Sequence, residues 1–368
     1  LQTALVEELQ ASIKKFSAKA ANGIIVDLKT GEIMSMASLP HYNPNKGLDK
    51  IDERFFDRNI SGTYEMGSTY KVLNTAFVLE NGISMNKRFD ATKPIKVGHF
   101  KVHDYHAQNR WMDIGEIFKH SSNIGSSLMA LEVGIDKQKD FFRKAGLLEP
   151  AKIELLGNSK PIVPKFWREA NAMTISYGYG ISVSPLQMAQ AVSNIVYGGF
   201  KRPLTILHRD EAIHHDDLDS LVSVKTSAQV HAMMYQTVSE GTCKKAKVDG
   251  YIITGKSGTA MKRENGKYKN GKVSTSFIGT IGSSLGKPEY LVMVMLDEPK
   301  ALKETWGYTA SGWNAVPLAG NIFKRVAKIM NMKPNHLHES QNNNKNRSVI
   351  KSPSNLNQMI QMASFREY

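Results

Sequence analysis

The sequence is poor in cysteine, which excludes two common stabilising and metal-binding devices. Cys243 is the only cysteine in 368 residues. A single thiol cannot form a disulfide within the chain, and a zinc site built from several cysteines is excluded. Hydrophobic residues make up 41% of the sequence, so we predict a sizeable core in one large domain or two smaller ones.

Long apolar runs and acidic residues are also scarce. No stretch approaches the ~18 apolar residues of a membrane-spanning helix. The 34 acidic residues are outnumbered by 48 lysines and arginines, which gives a formal net charge of +14. A basic surface can attract nucleic acid, anionic lipid or an acidic polymer. Because zinc-finger and RNA-binding signatures are missing and the basic residues are spread along the chain, we predict a solvated basic surface and no nucleic-acid partner.

Strand patterns occur near both ends of the chain, whereas helical patterns dominate between them. We therefore predict an α+β fold in which both ends build one sheet and a helical subdomain is inserted between its parts. The predicted elements are an amphipathic helix within 1–20, strands at 23–27, 32–38, 251–254, 274–280 and 290–296, a charged hairpin around 265–271, and a closing helix near 318–329.

Composition sets the expected boundaries of these parts. The sheet segments cover about 1–48 and 245–334, and the helical subdomain covers about 59–240. Residues 335–368 are rich in Asn, Ser, Gln and Lys, a composition that favours a disordered tail. The folded domain is therefore predicted to occupy residues 1–334.

A tight turn followed by an apolar helix is the most informative stretch. Gly67 permits the turn, and the run after Lys71 is apolar enough to be buried on most faces. Ser68 and Lys71 are three residues apart, so their side chains share a helix face. A lysine whose pKa is lowered by burial could take the serine proton, which predicts an acyl-transfer pair. Ser-x-x-Lys is a weak motif alone, because it recurs at Ser12, Ser84, Ser284 and Ser348.

A second motif, Ser121-Ser122-Asn123, strengthens this interpretation. The Ser121 hydroxyl can relay a proton to a leaving amine. The Asn123 amide can hold a peptide substrate and keep Lys71 oriented.

The polar stretch before this motif offers an alternative. It contains His99, His103, Asp104 and His106, and these side chains could bind a metal ion.

The third motif, Lys-Ser-Gly-Thr at 256–259, lies on a predicted strand. Lys256 would raise the local positive potential, lower the pKa of the first lysine and attract a carboxylate. Gly258 would let a substrate backbone lie against the strand edge. The backbone N–H groups of Ser68 and Thr259 could together form an oxyanion hole.

The three motifs in this order resemble the transpeptidase domain of class B penicillin-binding proteins over about residues 1–332. Further resembling segments are Thr30-Gly31-Glu32-Ile33, Tyr177-Gly178-Tyr179-Gly180, Ser184-Pro185-Leu186-Gln187 and Gly241-Thr242. Two segments look more like the division-specific, septal branch than the elongation enzyme: Glu65-Met66-Gly67-Ser68 and Gly178-Tyr179-Gly180. Two more support the same branch and are similar to its alphaproteobacterial forms: His103-Asp104-Tyr105-His106 and Asn109-Arg110-Trp111. Two departures are Met66, where the family usually has proline, and Ser257, where threonine is common.

The resemblance implies a fold like that of serine β-lactamases and penicillin-binding transpeptidases, with a central antiparallel sheet. It implies that Ser68 attacks the D-Ala-D-Ala bond of a peptidoglycan stem peptide, releases D-alanine and passes the acyl group to a neighbouring stem. Lys71 would be the general base, and no cofactor or metal would be needed. The implied assisting residues are Ser121 and Asn123 for proton transfer and substrate holding, and Lys256, Ser257 and Thr259 for binding the substrate carboxylate and carbonyl.

The resemblance also implies partners and a location. β-Lactams would be covalent inhibitors, and divisome membrane proteins, including a lipid II-polymerising glycosyltransferase, would be partners. The enzyme would act at the periplasmic face of the bacterial inner membrane. The family's N-terminal module and membrane anchor are not in this sequence, so these expectations rest on resemblance alone.

Three related functions stay open as alternatives. A β-lactamase needs a base that activates water, and residues 154–158 mimic the Glu-x-x-x-Asn element of class A enzymes. Their surroundings look like an ordinary class B loop, so Glu154 is not expected to be that base. A D,D-carboxypeptidase would carry the same motifs and use water as acceptor. A β-lactam sensor would be acylated without turnover.

Overall fold

The computed structural model describes residues 1–46, 50–98, 100–213, 218–264, 266–335 and 360. The helices are α1 (Gln2–Phe16), α2 (Lys71–Glu80), α3 (Ile114–His120), α4 (Asn123–Val133), α5 (Ile135–Lys144), α6 (Glu169–Ile175), α7 (Pro185–Val196), α8 (Val224–Ser239) and α9 (Ala315–Ile329). The strands are β1 (Ala20–Asp27), β2 (Ile33–Leu39), β3 (Arg88–Asp90), β4 (Ile95–Val97), β5 (Phe100–Val102), β6 (Trp111–Asp113), β7 (Ile252–Glu264), β8 (Lys267–Ser284) and β9 (Lys287–Asp297).

Five strands form the central sheet in the order β2-β1-β9-β8-β7, and every neighbouring pair is antiparallel. Two strands come from the N-terminal part of the chain and three from the C-terminal part. The predicted α+β fold with a split antiparallel sheet is therefore confirmed. β7 and β2 lie at opposite edges, so each has one side that no other strand of this sheet covers.

The sheet is the middle of three layers, because its side chains alternate between two cores. Ile25 and Val292 pack in the core shared with α1 and α9. Ile24 and Met293 pack in the larger core shared with α2, α7 and α8. Burying an aliphatic side chain contributes ~1.5–3 kcal/mol. The two cores therefore hold the start of α2 at a fixed distance from the edge strand β7.

The segment between the two parts of the sheet is mainly helical, as predicted, but it also contains two small ribbons. β3 pairs with β6, and β4 pairs with β5. Each strand has three residues, which is too short for an alternating pattern to mark it in the sequence.

The hairpin between β7 and β8 is tighter than predicted. Residues 267–271 belong to β8 rather than to a turn. They are exposed on both faces, so the apolar alternation of a half-buried strand is missing. Asn265 of this hairpin, and all of the predicted tail except 335 and 360, lie outside the described residues. No helix in the described ranges combines the length and apolarity needed to cross a bilayer.

Candidate active site

A turn that carries Ser68 leads directly into α2. Residues Gly67–Tyr70 form a 3-10 turn, and the α-helix begins at Lys71. Gly67 has a φ of +53°, and a Cβ there would lie 2.8 Å from the Thr259 carbonyl oxygen. A side chain would therefore be both strained and too close to the strand. The predicted turn is confirmed, and Ser68 lies within it.

α2 buries its lysine, because the helix is apolar around most of its circumference. The exposed fraction of Lys71 is 1%. Its Nζ lies 3.1 Å from the Ser68 Oγ. The predicted meeting of amine and hydroxyl is confirmed by this distance.

Ser121 and Asn123 reach the same amine from a bend between two helices. Ser121 follows α3 in the left-handed conformation, with a φ of +58°, and Ser122 caps α4. The Lys71 Nζ lies 2.6 Å from the Ser121 carbonyl oxygen, 3.1 Å from the Ser121 Oγ and 2.8 Å from the Asn123 Oδ1. A left-handed serine is unfavourable by roughly 1–2 kcal/mol, so packing in both helices must hold this bend.

The contacts of Lys71 can accommodate the neutral amine that a general base requires. A neutral amine has two N–H donors and one lone pair. The Ser121 carbonyl and the Asn123 Oδ1 can only accept hydrogen bonds, so they take both donors. In that form the lone pair is left for a hydroxyl, and the Ser68 and Ser121 hydroxyls both lie 3.1 Å from the Nζ.

Lys256 approaches this cluster from β7. Its side chain is fully buried, and its Nζ donates to the Ser121 Oγ at 3.0 Å. Burial lowers the pKa of Lys256 to about 8. Burial lowers the pKa of Lys71 well below its usual value, and the charge of Lys256 lowers it further, whereas Asp104 raises it. Around pH 7 these effects favour a charged Lys256 beside a neutral Lys71.

The outer edge of β7 presents backbone N–H groups toward the Ser68 turn. Alternate residues of a strand direct their N–H groups to the same edge. The Met261 N–H points outward, because it donates to the Tyr179 Oη at 3.0 Å. Thr259 is two residues earlier, so its N–H points the same way. Its hydroxyl is held by Ser311, whose N–H donates to it at 3.0 Å.

Two glycines allow close packing around the Ser68 turn. A Cβ on Gly258 would lie 2.6 Å from the Met66 carbonyl oxygen, and a Cβ on Gly178 would lie 2.1 Å from that of Gly67. Gly258 therefore has a packing role in addition to the substrate-facing role predicted from the sequence.

Asp104 has a place in the site that the sequence did not indicate. Its carboxylate accepts hydrogen bonds from the Ser122 hydroxyl and from the N–H groups of Asn123 and Ile124. Aspartate is known to favour helix N-termini, but the helix that it caps begins 19 residues later in the chain, and no sequence pattern links the two. The alternative of a metal site used Asp104 as a ligand together with His99, which lies outside the described residues. Among the residues that are described, no group of three potential ligands could hold a metal ion.

Glu154 is bound to a loop. Its two carboxylate oxygens accept hydrogen bonds from the Thr205 hydroxyl at 2.5 Å and the Ile206 N–H at 3.1 Å. The Thr205 hydroxyl holds the pKa of this carboxyl below its usual value. Thr205 in turn pairs with the start of β2, which is the sheet edge opposite β7.

Comparison with known proteins places these features in a family. The family model described as the penicillin binding protein transpeptidase domain matches residues 22–324. The chain is 35% identical to the probable peptidoglycan D,D-transpeptidase FtsI of Caulobacter vibrioides, over 90% of this chain and 58% of that protein. It is 30% identical to the probable peptidoglycan D,D-transpeptidase PenA of Neisseria gonorrhoeae, over 89% of this chain and 54% of that protein.

A solved structure is also similar. The transpeptidase domain of penicillin-binding protein 3 from Burkholderia pseudomallei, in its apo form, superposes with a TM-score of 0.79 at 27% identity. The match covers 91% of this chain and 95% of that one. The chain thus spans nearly all of that domain but little more than half the length of the two curated relatives.

Proposed function

We propose, since the chain belongs to the penicillin-binding protein transpeptidase domain family, that it cross-links peptidoglycan as a serine-type D,D-transpeptidase. The observation that carries this proposal is the convergence of Ser68, Ser121, Asn123 and the two buried lysines on one point. Residues 1–334 would form the unit that performs the reaction.

In the first step Lys71 takes the proton of Ser68 as the Oγ attacks the carbonyl carbon of the D-Ala-D-Ala bond. The carbonyl oxygen becomes an oxyanion, which the backbone N–H groups of Ser68 and Thr259 would stabilise. The C–N bond then breaks. The proton passes from Lys71 through the Ser121 hydroxyl to the leaving nitrogen, so that D-alanine departs as a neutral amine and an ester remains on Ser68.

In the second step an amino group of a neighbouring stem peptide attacks the ester. It gives up a proton by the same route in reverse, and the Ser68 hydroxyl is restored as the new amide forms. Asn123 would hold the substrate peptide. Lys256, Ser257 and Thr259 would bind its carboxylate and carbonyl, and Gly258 would leave room for its backbone along β7.

The biological setting belongs to the same proposal. The relatives named FtsI support a role in septal cell-wall synthesis at the periplasmic face of the inner membrane. An anchoring helix and divisome partners, including a lipid II-polymerising glycosyltransferase, would complete the enzyme. β-Lactams would inhibit it, because their strained amide resembles the bond that is cleaved. The acyl-enzyme that they form would not be transferred to an acceptor amine.

Mass spectrometry of the chain after penicillin treatment tests the nucleophile. We expect one adduct, mapped to Ser68, and no adduct in Ser68→Ala, whose thermal unfolding should be close to that of the wild type. An adduct on Ser121 or Ser257 would contradict the assignment. Release of D-alanine with a cross-linked product from paired stem peptides separates a transpeptidase from a carboxypeptidase, which gives no cross-link, and from a sensor, which gives neither.

A further inference from the structure

Asp104 holds the start of α4 with both of its carboxylate oxygens. One oxygen accepts the N–H groups of Asn123 at 2.6 Å and Ile124 at 3.0 Å. The other accepts the Ser122 hydroxyl at 2.7 Å. The first residues of a helix have N–H groups without partners inside the helix, so this carboxylate fixes where α4 begins.

His103, the neighbour of Asp104, orients the Asn123 side chain. The Asn123 Nδ2 donates to the His103 carbonyl oxygen at 3.0 Å, which leaves the Asn123 Oδ1 facing the Lys71 Nζ at 2.8 Å. Residues 103 and 104 therefore hold both the backbone and the side chain of Asn123. Through Asn123 they set the direction of one N–H donor of Lys71.

Asp104 also contributes charge. The charged groups that face Lys71 from the described elements around it are Lys256, from β7, and Asp104, from the loop after β5. Lys256 opposes a second positive charge in the pocket, whereas Asp104 favours one and raises the pKa of Lys71. The two act in opposite directions on the same amine.

We propose that Asp104 is a positioning residue for acylation, which fixes Asn123 against Lys71 and counterbalances Lys256. This inference rests on the proposed role of Lys71 as general base. An aspartate placed here keeps the amine basic enough to accept the Ser68 proton, while Lys256 keeps it neutral.

The test is the second-order acylation rate constant for a fluorescent penicillin, measured across pH in the wild type and in Asp104→Asn. Asparagine can keep most of the hydrogen bonds to α4 but removes the charge. The acid limb of the profile reports the pKa of the base in the free enzyme. We expect this limb to move to lower pH by roughly half to one unit, because Lys71 becomes easier to deprotonate, while the plateau rate falls several-fold.

A matched control separates charge from capping. Asp113 caps α3 through the Glu116 N–H at 2.8 Å and is not among the groups that shift the pKa of Lys71. Asp113→Asn should therefore lower stability slightly and leave the acid limb unchanged. Asp104→Ala, which removes the cap as well, should lower the plateau rate further than Asp104→Asn.

Lys71→Ala distinguishes a failure of the proposed role of Lys71 from a failure of the proposed role of Asp104. If Lys71→Ala is acylated as fast as the wild type, the proposed function of Lys71 is wrong and this inference fails with it. If Lys71→Ala is inactive but Asp104→Asn keeps the wild-type acid limb, the inference alone is overturned. A uniform loss of rate in Asp104→Asn with no shift of the limb would likewise overturn it, because that result is what a purely structural cap would give.

Discussion

The helical side of the site, residues 68–71 and 121–123, differs from the strand side, residues 256–259, in how fully its polar groups are satisfied. On the helical side Lys71 has four contacts within hydrogen-bonding distance. On the strand side the Ser257 hydroxyl has no hydrogen-bond partner among the described residues, and the Thr259 N–H faces the open edge of β7. The helical side therefore has its hydrogen bonds satisfied without a ligand, whereas the strand side has a hydroxyl and an N–H group that a ligand can bind.

This difference separates chemistry from recognition. A base needs a fixed geometry and a fixed protonation state before the substrate arrives, because reorganising it during the reaction would raise the barrier. A recognition surface needs donors whose partners the substrate supplies. Lys256 belongs to both sides, since it contacts Ser121 and carries the charge that would attract a carboxylate.

The largest expected effect is the loss of acylation in Lys71→Arg, measured against Lys256→Arg. Lys71→Arg keeps a cation but removes the base, because arginine does not deprotonate in proteins. It should lower the acylation rate constant by ~10²–10⁴, nearly as far as Lys71→Ala. Lys256→Arg keeps the positive charge in altered geometry and should retain measurable acylation by a fluorescent penicillin.

Thermal unfolding of both arginine variants is the control, since both lysines are buried. If Lys71→Arg is acylated at a rate near that of the wild type, Lys71 is an electrostatic anchor and another group takes the proton. The helical side would then lose its distinct chemical role.

A smaller effect is expected from the charge of Lys256. With a pKa of about 8, Lys256 is charged below that pH and loses its proton above it. Acylation by a penicillin, which carries a carboxylate, should therefore decline above about pH 8, by up to about tenfold for each further pH unit. Lys256→Arg stays charged, so its profile should lack this decline. Identical alkaline limbs in the two proteins would show that the charge of Lys256 does not limit binding.

The helical side was largely predictable from the sequence. The three-residue spacing of Ser68 and Lys71 places both side chains on one face, and the apolar run after them predicts burial. These are local consequences of helix geometry. The split sheet was predictable as well, because apolar runs near both ends of the chain mark its strands. Lys256 lies just beyond the predicted run at 251–254, on a part of β7 whose residues carry no apolar signal.

The contacts between distant segments were not predictable. Asp104 lies in a polar loop with several histidines, a composition that suggested a metal ligand rather than a helix cap. The left-handed conformation of Ser121 is unusual for a serine, and no residue type marks it in advance. The order of the motifs led to the resemblance to a family, and the resemblance implied that they form one site. The hydrogen bonds that hold the motifs in place depend on tertiary packing and are not visible in the sequence.

The smallest expected effect is that of Glu154→Gln, which tests whether any group near the site activates water for deacylation. Glu154 is bound to Thr205 and Ile206, beside the β2 edge of the sheet. The β7 edge, which faces Ser68, is four strand spacings away, roughly 19 Å. Asp104 is nearer to Lys71, but both of its oxygens are held by α4.

The penicillin adduct should therefore persist for many turnover times, and its lifetime, followed by intact-mass spectrometry, should be the same in Glu154→Gln within about twofold. Multiple-turnover hydrolysis of a β-lactam that disappears in Glu154→Gln would identify a hydrolase, because the acyl-enzyme would then have a base for water as well as a base for Ser68.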